Sequence, residues 1–144
     1  MTILVPDDLR ALTVLADHSV YPDRANFRGV IVLSADGSRV VGAAGIDHLD
    51  VNPQGEAVNA VVHAAGRDYW SRRALRQFYG WLFNDIKLHR VTAECRSDND
   101  RARRGMELIG YRVEGERRQA GPAREDITML GLLASECRLF KRSA

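Results

Sequence analysis

The sequence predicts a single α+β domain with a mixed, mostly antiparallel central sheet of six to seven strands and about three helices. Its 144 residues, 45% of them hydrophobic, suit one globular domain with one core. The first half carries short β-branched runs separated by turn residues. The second half alternates helical and strand patterns, and we find no repeat or linker, so residues 1–144 are expected to form one domain.

The first half predicts one helix followed by a three-stranded antiparallel meander. Pro6 and the two acids after it are a favourable helix start, and leucines recur behind them at helical spacing. Asp36-Gly37 is a hairpin signal, while Gly42 and Gly45 indicate a bulge or close packing inside a strand. The predicted elements are a helix at 6–18, strands at 27–35, 39–50 and 57–65, and a short additional strand at 2–5.

The second half predicts two helices and three strands. Apolar residues at three- and four-residue intervals give the helix at 70–86 one apolar face, although Gly80 lies within it. Gly110 ends the second helix. The remaining elements are strands at 89–96, 111–120 and 126–136 and a helix at 100–110. Two strands that flank a helix normally run parallel, so 57–65 and 89–96 are expected to be parallel neighbours.

The same periodicity predicts a core from both halves of the fold. The residues expected to be largely buried are Leu75, Phe78, Leu82, Val91, Ala93, Leu108, Val113 and Leu130. Glu94 alternates with its apolar neighbours along the strand and therefore faces away from them.

Composition excludes several classes of protein. Twenty-one Lys and Arg against 19 Asp and Glu give a net charge of +2, which argues against nucleic-acid binding by charge alone. Arginines cluster within 72–76 and 101–104, either as solvated helix faces or as a local patch. Cys95 and Cys137 form no disulfide framework or metal spacing, so we expect reduced thiols in the cytoplasm and no metal. No apolar stretch approaches a membrane span, and the first ten residues do not resemble a signal peptide.

The stretch "NDRARRGMELIGY", residues 99–111, resembles a motif of the GNAT superfamily of acyl-CoA-dependent N-acetyltransferases. The matching positions are Asn99, Ala102, Arg104, Glu107, Gly110 and Tyr111. The end of the chain, with "EG" before a basic strand and Asp126 at the last strand, is similar to the ribosomal-protein acetyltransferase branch and to small phage or prophage GNAT proteins. The resemblance covers roughly residues 27–137 and implies the three-layer α/β fold of the superfamily.

This resemblance implies transfer of an acetyl group from acetyl-CoA to a primary amine of an unidentified small molecule, peptide or protein. It also implies that strands 57–65 and 89–96 diverge at one end and leave a slot beside His63. The alternative is a catalytically silent GNAT-like binding module, for example a phage-associated one. Exposed strand edges are compatible with a homodimer.

The loop "GRDYWSR", residues 66–72, corresponds to the pyrophosphate loop of the superfamily in a modified form. Trp70 and Arg72 occupy positions where relatives carry small residues, but backbone N–H groups at a helix start bind anions whatever the side chains are. Asn99 matches a coenzyme-holding position and is equally explained as a helix N-cap. The residues implied for coenzyme binding are Val61, Val62, His63, Arg67, Asp68, Tyr69, Trp70, Ser71, Arg72 and Asn99.

Two residues are candidates for the catalytic base. His63 ends its strand beside the loop, and imidazole titrates near neutral pH. Glu94 on the following strand is the second candidate. Both also have ordinary interpretations, a solvated strand-end histidine and an exposed strand carboxylate. The positions at which relatives carry a proton-donating tyrosine or serine hold Met106 and Ala102, so both usual acids are absent.

Overall fold

The computed structural model describes residues 3–66 and 70–140, which form one seven-stranded sheet with three α-helices. Two 3₁₀ turns, Arg24–Asn26 and Ala134–Glu136, and one π-helical turn, Trp81–Asp85, complete the described elements. In chain order the elements are β1 (Ile3–Pro6), α1 (Asp8–Asp17), β2 (Arg28–Leu33), β3 (Val40–Val51), β4 (Ala57–Ala65), α2 (Arg72–Gly80), β5 (Arg90–Arg96), α3 (Asp100–Ile109), β6 (Arg112–Arg117) and β7 (Ile127–Leu133).

The sheet is mixed and mostly antiparallel, which confirms the predicted fold class. Its strand order is β1-β2-β3-β4-β5-β7-β6. All neighbours pair antiparallel except β4 and β5, which run parallel on either side of α2. The short strand expected at the N-terminus is β1, which extends the meander at one edge.

Close packing around Phe27 explains two glycines of the meander. Gly29 and Gly45 are cross-strand partners, and a Cβ on either would lie within 2.4 Å of the Phe27 ring. The ring therefore lies flat over this part of the sheet, where Ala11 and Leu15 of α1 also pack. The predicted close packing at Gly45 is confirmed, and the register shift between Val32 and Leu33 places a bulge beside Gly42.

The pairing between β4 and β5 is short. Val61 and Thr92 are the one pair of ladder partners in the described part of the chain. Before that pair, the His89 N–H donates to the Val58 carbonyl at 3.2 Å. After it the two strands separate toward their C-terminal ends. The strands are therefore parallel neighbours that diverge, as expected.

The helix predicted at 70–86 consists of α2 and the π-helical turn that continues it. The Ser71 hydroxyl oxygen accepts from the Ala74 N–H at 3.0 Å and fixes the first turn. Gly80 lies at the junction, and the Ile86 N–H then bonds the Trp81 carbonyl at 2.9 Å, five residues back. Within 3–66 and 70–140, no helix is long and apolar enough to cross a membrane.

Two predicted core residues are wrong. Leu108 is 73% exposed and Val113 is 51% exposed. On α3 it is Met106 and Ile109 that pack against the core, and Leu108 lies between them on the outer face. Val113 lies on β6, the edge strand, all of whose residues are exposed.

The other six predicted core residues are buried or pack against the core. Phe78, Leu82, Val91, Ala93 and Leu130 are buried, and Leu75 is partly buried against the same cluster.

Replacement of Phe78 by alanine tests the packing of α2 on the sheet. Phe78 is 2% exposed and contacts other aromatic rings, so Phe78→Ala should lower the free energy of unfolding by about 3–5 kcal/mol. The matched control is Leu108→Ala on the outer face of α3, which should change it by about 0.5 kcal/mol or less. Urea denaturation measures both free energies of unfolding. A larger loss of stability for Leu108→Ala would show that Leu108, rather than Met106 and Ile109, faces the core.

Candidate active site

A cavity of about 700 Å³ opens where β4 and β5 separate. It reaches from the gap between the strands to the facing surfaces of α2 and α3. Its walls include Val62 and Ala64 of β4, Ala93 and Cys95 of β5, Trp70 and Phe78 on the α2 side, and Asn99, Ala102 and Met106 on the α3 side.

Side-chain alternation divides the residues around the gap between two faces of the sheet. Val62 and Ala64 line the cavity, so Val61 and His63 point to the opposite face. Because Val61 pairs with Thr92, His63 and Glu94 each lie two residues beyond that pair, on the same face and on opposite sides of the gap. The two predicted catalytic residues therefore flank the gap from the face opposite the main cavity, although Glu94 also borders the cavity.

The start of α2 lies next to this cavity, since Trp70 just before the helix and Leu75 in its first turn form part of the wall. Ser71 caps the helix through its side chain, and its carbonyl accepts from the Leu75 N–H at 3.0 Å. The N–H groups of Arg72 and Arg73 precede this first intrahelical hydrogen bond and lie at the positive end of the helix dipole. The Arg72 side chain is exposed. The predicted loop residues Arg67, Asp68 and Tyr69 lie outside the described residues.

Trp70 forms part of the cavity wall. Its ring stands edge-on to Phe78, with centroids 5.8 Å apart, and it lies beside the backbone of Gly42 and Gly66. A Cβ at Gly42 would lie 2.8 Å from the Ala65 carbonyl oxygen. The large side chain at this loop position therefore packs inward, against two residues that have no side chain, Gly42 and Gly66.

Asn99 is the N-cap of α3. Its side-chain oxygen accepts from the Ala102 N–H at 3.1 Å, and its carbonyl accepts from the Arg103 N–H. The capping interpretation is confirmed, and Asn99 also lines the cavity. The role in coenzyme binding remains a prediction.

Glu94 is held by an ion pair. Its carboxylate contacts the Arg117 guanidinium of β6 across β7, and both side chains are partly exposed. The carboxylate of Glu94 is therefore already engaged by a cation on the neighbouring hairpin.

His63 contacts a buried carboxylate that the sequence analysis did not identify. Its Nε2 atom lies 2.9 Å from Oδ1 of Asp47, although the contact is bent rather than a linear hydrogen bond. The same oxygen lies 2.9 Å from Nδ1 of His48, and Oδ2 accepts from the Asp23 N–H at 2.7 Å. Within 3–66 and 70–140, no group of three or more such residues is arranged to hold a metal ion.

The contacts keep Asp47 ionised. Burial raises the pKa of its carboxyl, but the His48 imidazole, the Asp23 amide and the His63 imidazole beside it outweigh burial and bring the pKa below its ordinary value. The same contact with the carboxylate raises the pKa of His48. The stretch "GIDHLD", residues 45–50, places an acid and a histidine inside a mostly apolar strand. This pattern is the signal by which the sequence could have identified Asp47.

A bulge in β3 brings His48 into contact with Asp47. Asp47 pairs with Val61, whereas Asp50 pairs with Asn59, so β3 has one residue more than β4 in this stretch. His48 lies in the bulge with φ of 48°, in the left-handed region. This conformation brings the imidazole of His48 back onto the carboxylate of its own neighbour.

A second pair of polar groups lies inside the cavity. The Tyr79 and Tyr111 hydroxyls are 2.9 Å apart, and both residues line the cavity and are buried. Burial raises the pKa of both phenols, so both are neutral near pH 7. Because one hydroxyl donates to the other, the second retains a proton for another acceptor.

Comparison with known proteins agrees with the observed architecture. The profile of the acetyltransferase (GNAT) domain family matches residues 6–112. This range includes every strand and helix that borders the cavity, from the meander to the end of α3. No curated protein sequence matches the chain significantly.

Several solved structures share the fold at low sequence identity. The dodecameric spermidine N-acetyltransferase of Vibrio cholerae in an intermediate state is 16% identical, with a TM-score of 0.73, over 93% of this chain and 94% of that one. A point variant of that enzyme is 15% identical, with a TM-score of 0.71, over 91% and 94% of the two chains. At such identities the match describes the fold, and the cavity and its side chains are this chain's own.

Proposed function

The chain belongs to the GNAT acetyltransferase family, and on that premise we propose that it transfers an acetyl group from acetyl-CoA to a primary amine. The observation that carries the proposal is the gap after the Val61–Thr92 pair. It opens on one face to the cavity, whose wall includes Trp70 and Leu75 near the start of α2, and on the other to His63 and Glu94. Donor and acceptor can therefore meet in the gap from opposite faces of the sheet.

Acetyl-CoA would occupy the cavity. Its pantetheine arm would run between the strands, where the backbone of Val61, Val62 and His63 has no β5 partner beyond Val61 among the described residues. The pyrophosphate would lie at the start of α2, held by the free amides there and by Arg72. Ser71 and Trp70 shape that end of the site, Asn99 borders it, and Arg67, Asp68 and Tyr69 complete the loop in this proposal.

His63 would act as the base. It removes a proton from the acceptor ammonium, and the neutral nitrogen attacks the thioester carbonyl. The C–N bond forms, the C–S bond breaks, and the second proton that the nitrogen loses passes to the leaving thiolate, while His63 returns its proton to water. His63 is preferred to Glu94 because the Glu94 carboxylate is already paired with Arg117. The Tyr79–Tyr111 hydroxyl pair can donate a hydrogen bond in the same cavity, at positions other than Ala102 and Met106.

The acceptor is proposed as a primary amine without a narrower identity. The similar Vibrio cholerae structures are spermidine N-acetyltransferases, which makes a polyamine one candidate. The resemblance of the last two strands to the ribosomal-protein branch makes a protein N-terminus another. A panel with one representative of each class separates them.

We also propose a cytoplasmic location and self-association. Cys95 and Cys137 are free thiols, as is usual for a reducing compartment. The Vibrio cholerae relative is described as dodecameric, and β6 forms a fully exposed sheet edge here. An unpaired edge strand is a ready site for contact between copies of a chain.

Ligand-induced stabilisation is the first test of this function. Acetyl-CoA at 100 times its Kd should raise the free energy of unfolding by about 2.7 kcal/mol, because it binds the folded chain and not the unfolded one. Release of CoA thiol should then follow addition of spermidine or of a peptide with a free N-terminus. No stabilisation by millimolar acetyl-CoA would contradict the proposal and favour a silent binding module.

A paired set of arginine variants locates the pyrophosphate. The double variant Arg67→Ala/Arg72→Ala should weaken acetyl-CoA binding by about 1.5–3 kcal/mol for each charged hydrogen bond lost. Arg73→Ala/Arg76→Ala removes the same charge from the exposed surface of the same helix and is the matched control. Calorimetry should show a much smaller loss for the control. Equal losses would indicate a general effect of charge rather than a phosphate site at the start of α2.

A further inference from the structure

The buried carboxylate of Asp47 lies directly behind the proposed base. Asp47 is 1% exposed and His63 contacts it through Nε2, an atom shielded from solvent. The His63 side chain as a whole is 21% exposed, so its exposed part lies elsewhere on the side chain. One nitrogen of the ring therefore faces the protein interior, and the other is free to face a substrate.

We propose that Asp47 is the positioning residue for His63, holding the proton on Nε2 and leaving Nδ1 as the basic nitrogen; this rests on the proposed function. A carboxylate is an acceptor only, so the ring nitrogen beside it carries the hydrogen. The partner of one imidazole nitrogen thereby determines which nitrogen has the free lone pair. A carboxylate in this place also stabilises the imidazolium that forms when the base takes a proton.

The surroundings of Asp47 make it suitable for this role. Its Oδ2 atom accepts from the Asp23 amide, which ties the carboxylate to the segment between α1 and β2. Its Oδ1 atom is shared by His63 and His48, one on β4 and one in the β3 bulge. One amide hydrogen bond and two imidazole contacts at 2.9 Å therefore surround the carboxylate.

The charged groups near His63 define what the removal of the Asp47 charge changes. Asp47 and His48 face it from β3, and Asp23 lies behind them. Glu94 faces it across the gap and is neutralised by Arg117. Asp47 is thus the carboxylate in direct contact with the ring, and its removal changes the local charge most.

Nitrogen-15 NMR of the imidazoles tests the tautomer without any activity. The chain has four histidines, and the His63 signals can be assigned as those absent from His63→Gln. In the wild type, neutral His63 should show its hydrogen on Nε2. A wild type with the hydrogen on Nδ1 would overturn the proposal, whether or not the protein transfers acetyl groups.

Asp47→Asn tests the catalytic consequence. The variant keeps the size of the side chain and removes its charge. We therefore expect kcat to fall about 10- to 100-fold, as is typical when a residue that orients a functional side chain is replaced. The KM for acetyl-CoA should stay near the wild-type value because Asp47 lies away from the cavity.

Asp50→Asn is the matched control. It makes the same substitution at an exposed carboxylate of the same strand, which contacts Asn59 rather than His63, so kcat should stay close to wild type. An unchanged kcat in Asp47→Asn would overturn the proposal. If the wild type fails to bind acetyl-CoA, the proposed function fails, and the NMR tautomer alone decides how Asp47 acts on His63.

Discussion

The structure around the candidate site depends on one constraint, the early end of the parallel pairing between β4 and β5. Backbone N–H and C=O groups need partners, and a central strand normally finds them on both sides. Here the ladder consists of Val61 and Thr92 in the described chain, and the strands then separate. A gap in the middle of a sheet exposes backbone polar groups to whatever enters it. An extended ligand with amide groups suits such a gap because it can supply the hydrogen bonds that the neighbouring strand does not.

Because side chains alternate along each strand, β4 and β5 place different kinds of side chain on the two faces of the sheet. Small and apolar side chains, such as Ala64 and Ala93, line the cavity and leave room for a ligand. The polar side chains of His63 and Glu94 point to the other face. In the proposed function, one pair of strands thus separates the binding of the acyl donor from proton transfer. The regular pairing of β3 with β4 adds Asp47 to the second face, and the bulge after it brings His48 onto the same carboxylate.

Sequence reasoning predicted the element order because hydrophobic periodicity and turn residues are local signals. The parallel pair around α2 followed from the handedness of such connections. Leu108 and Val113 were misplaced because periodicity does not show which helix turn faces inward or which strand lies at an edge. Asp47 was missed because its importance comes from a bulge and from donors on three segments of the chain, and neither can be read from spacing. Trp70, which looked like an obstacle in the loop, is part of the wall.

The central claim, that the gap between β4 and β5 holds acetyl-CoA, can be measured at Cys95. This thiol lines the cavity, whereas Cys137 is buried and is not part of the cavity wall, so it serves as the internal control for stabilisation of the fold. Burial raises the pKa of both thiols, so alkylation should be followed at mildly alkaline pH by mass spectrometry of the two peptides. Acetyl-CoA at a stabilising concentration should slow alkylation of Cys95 more than that of Cys137, which reports the stabilisation of the fold alone. Alkylation of Cys95 at the unliganded rate, while acetyl-CoA stabilises the fold, would contradict the account.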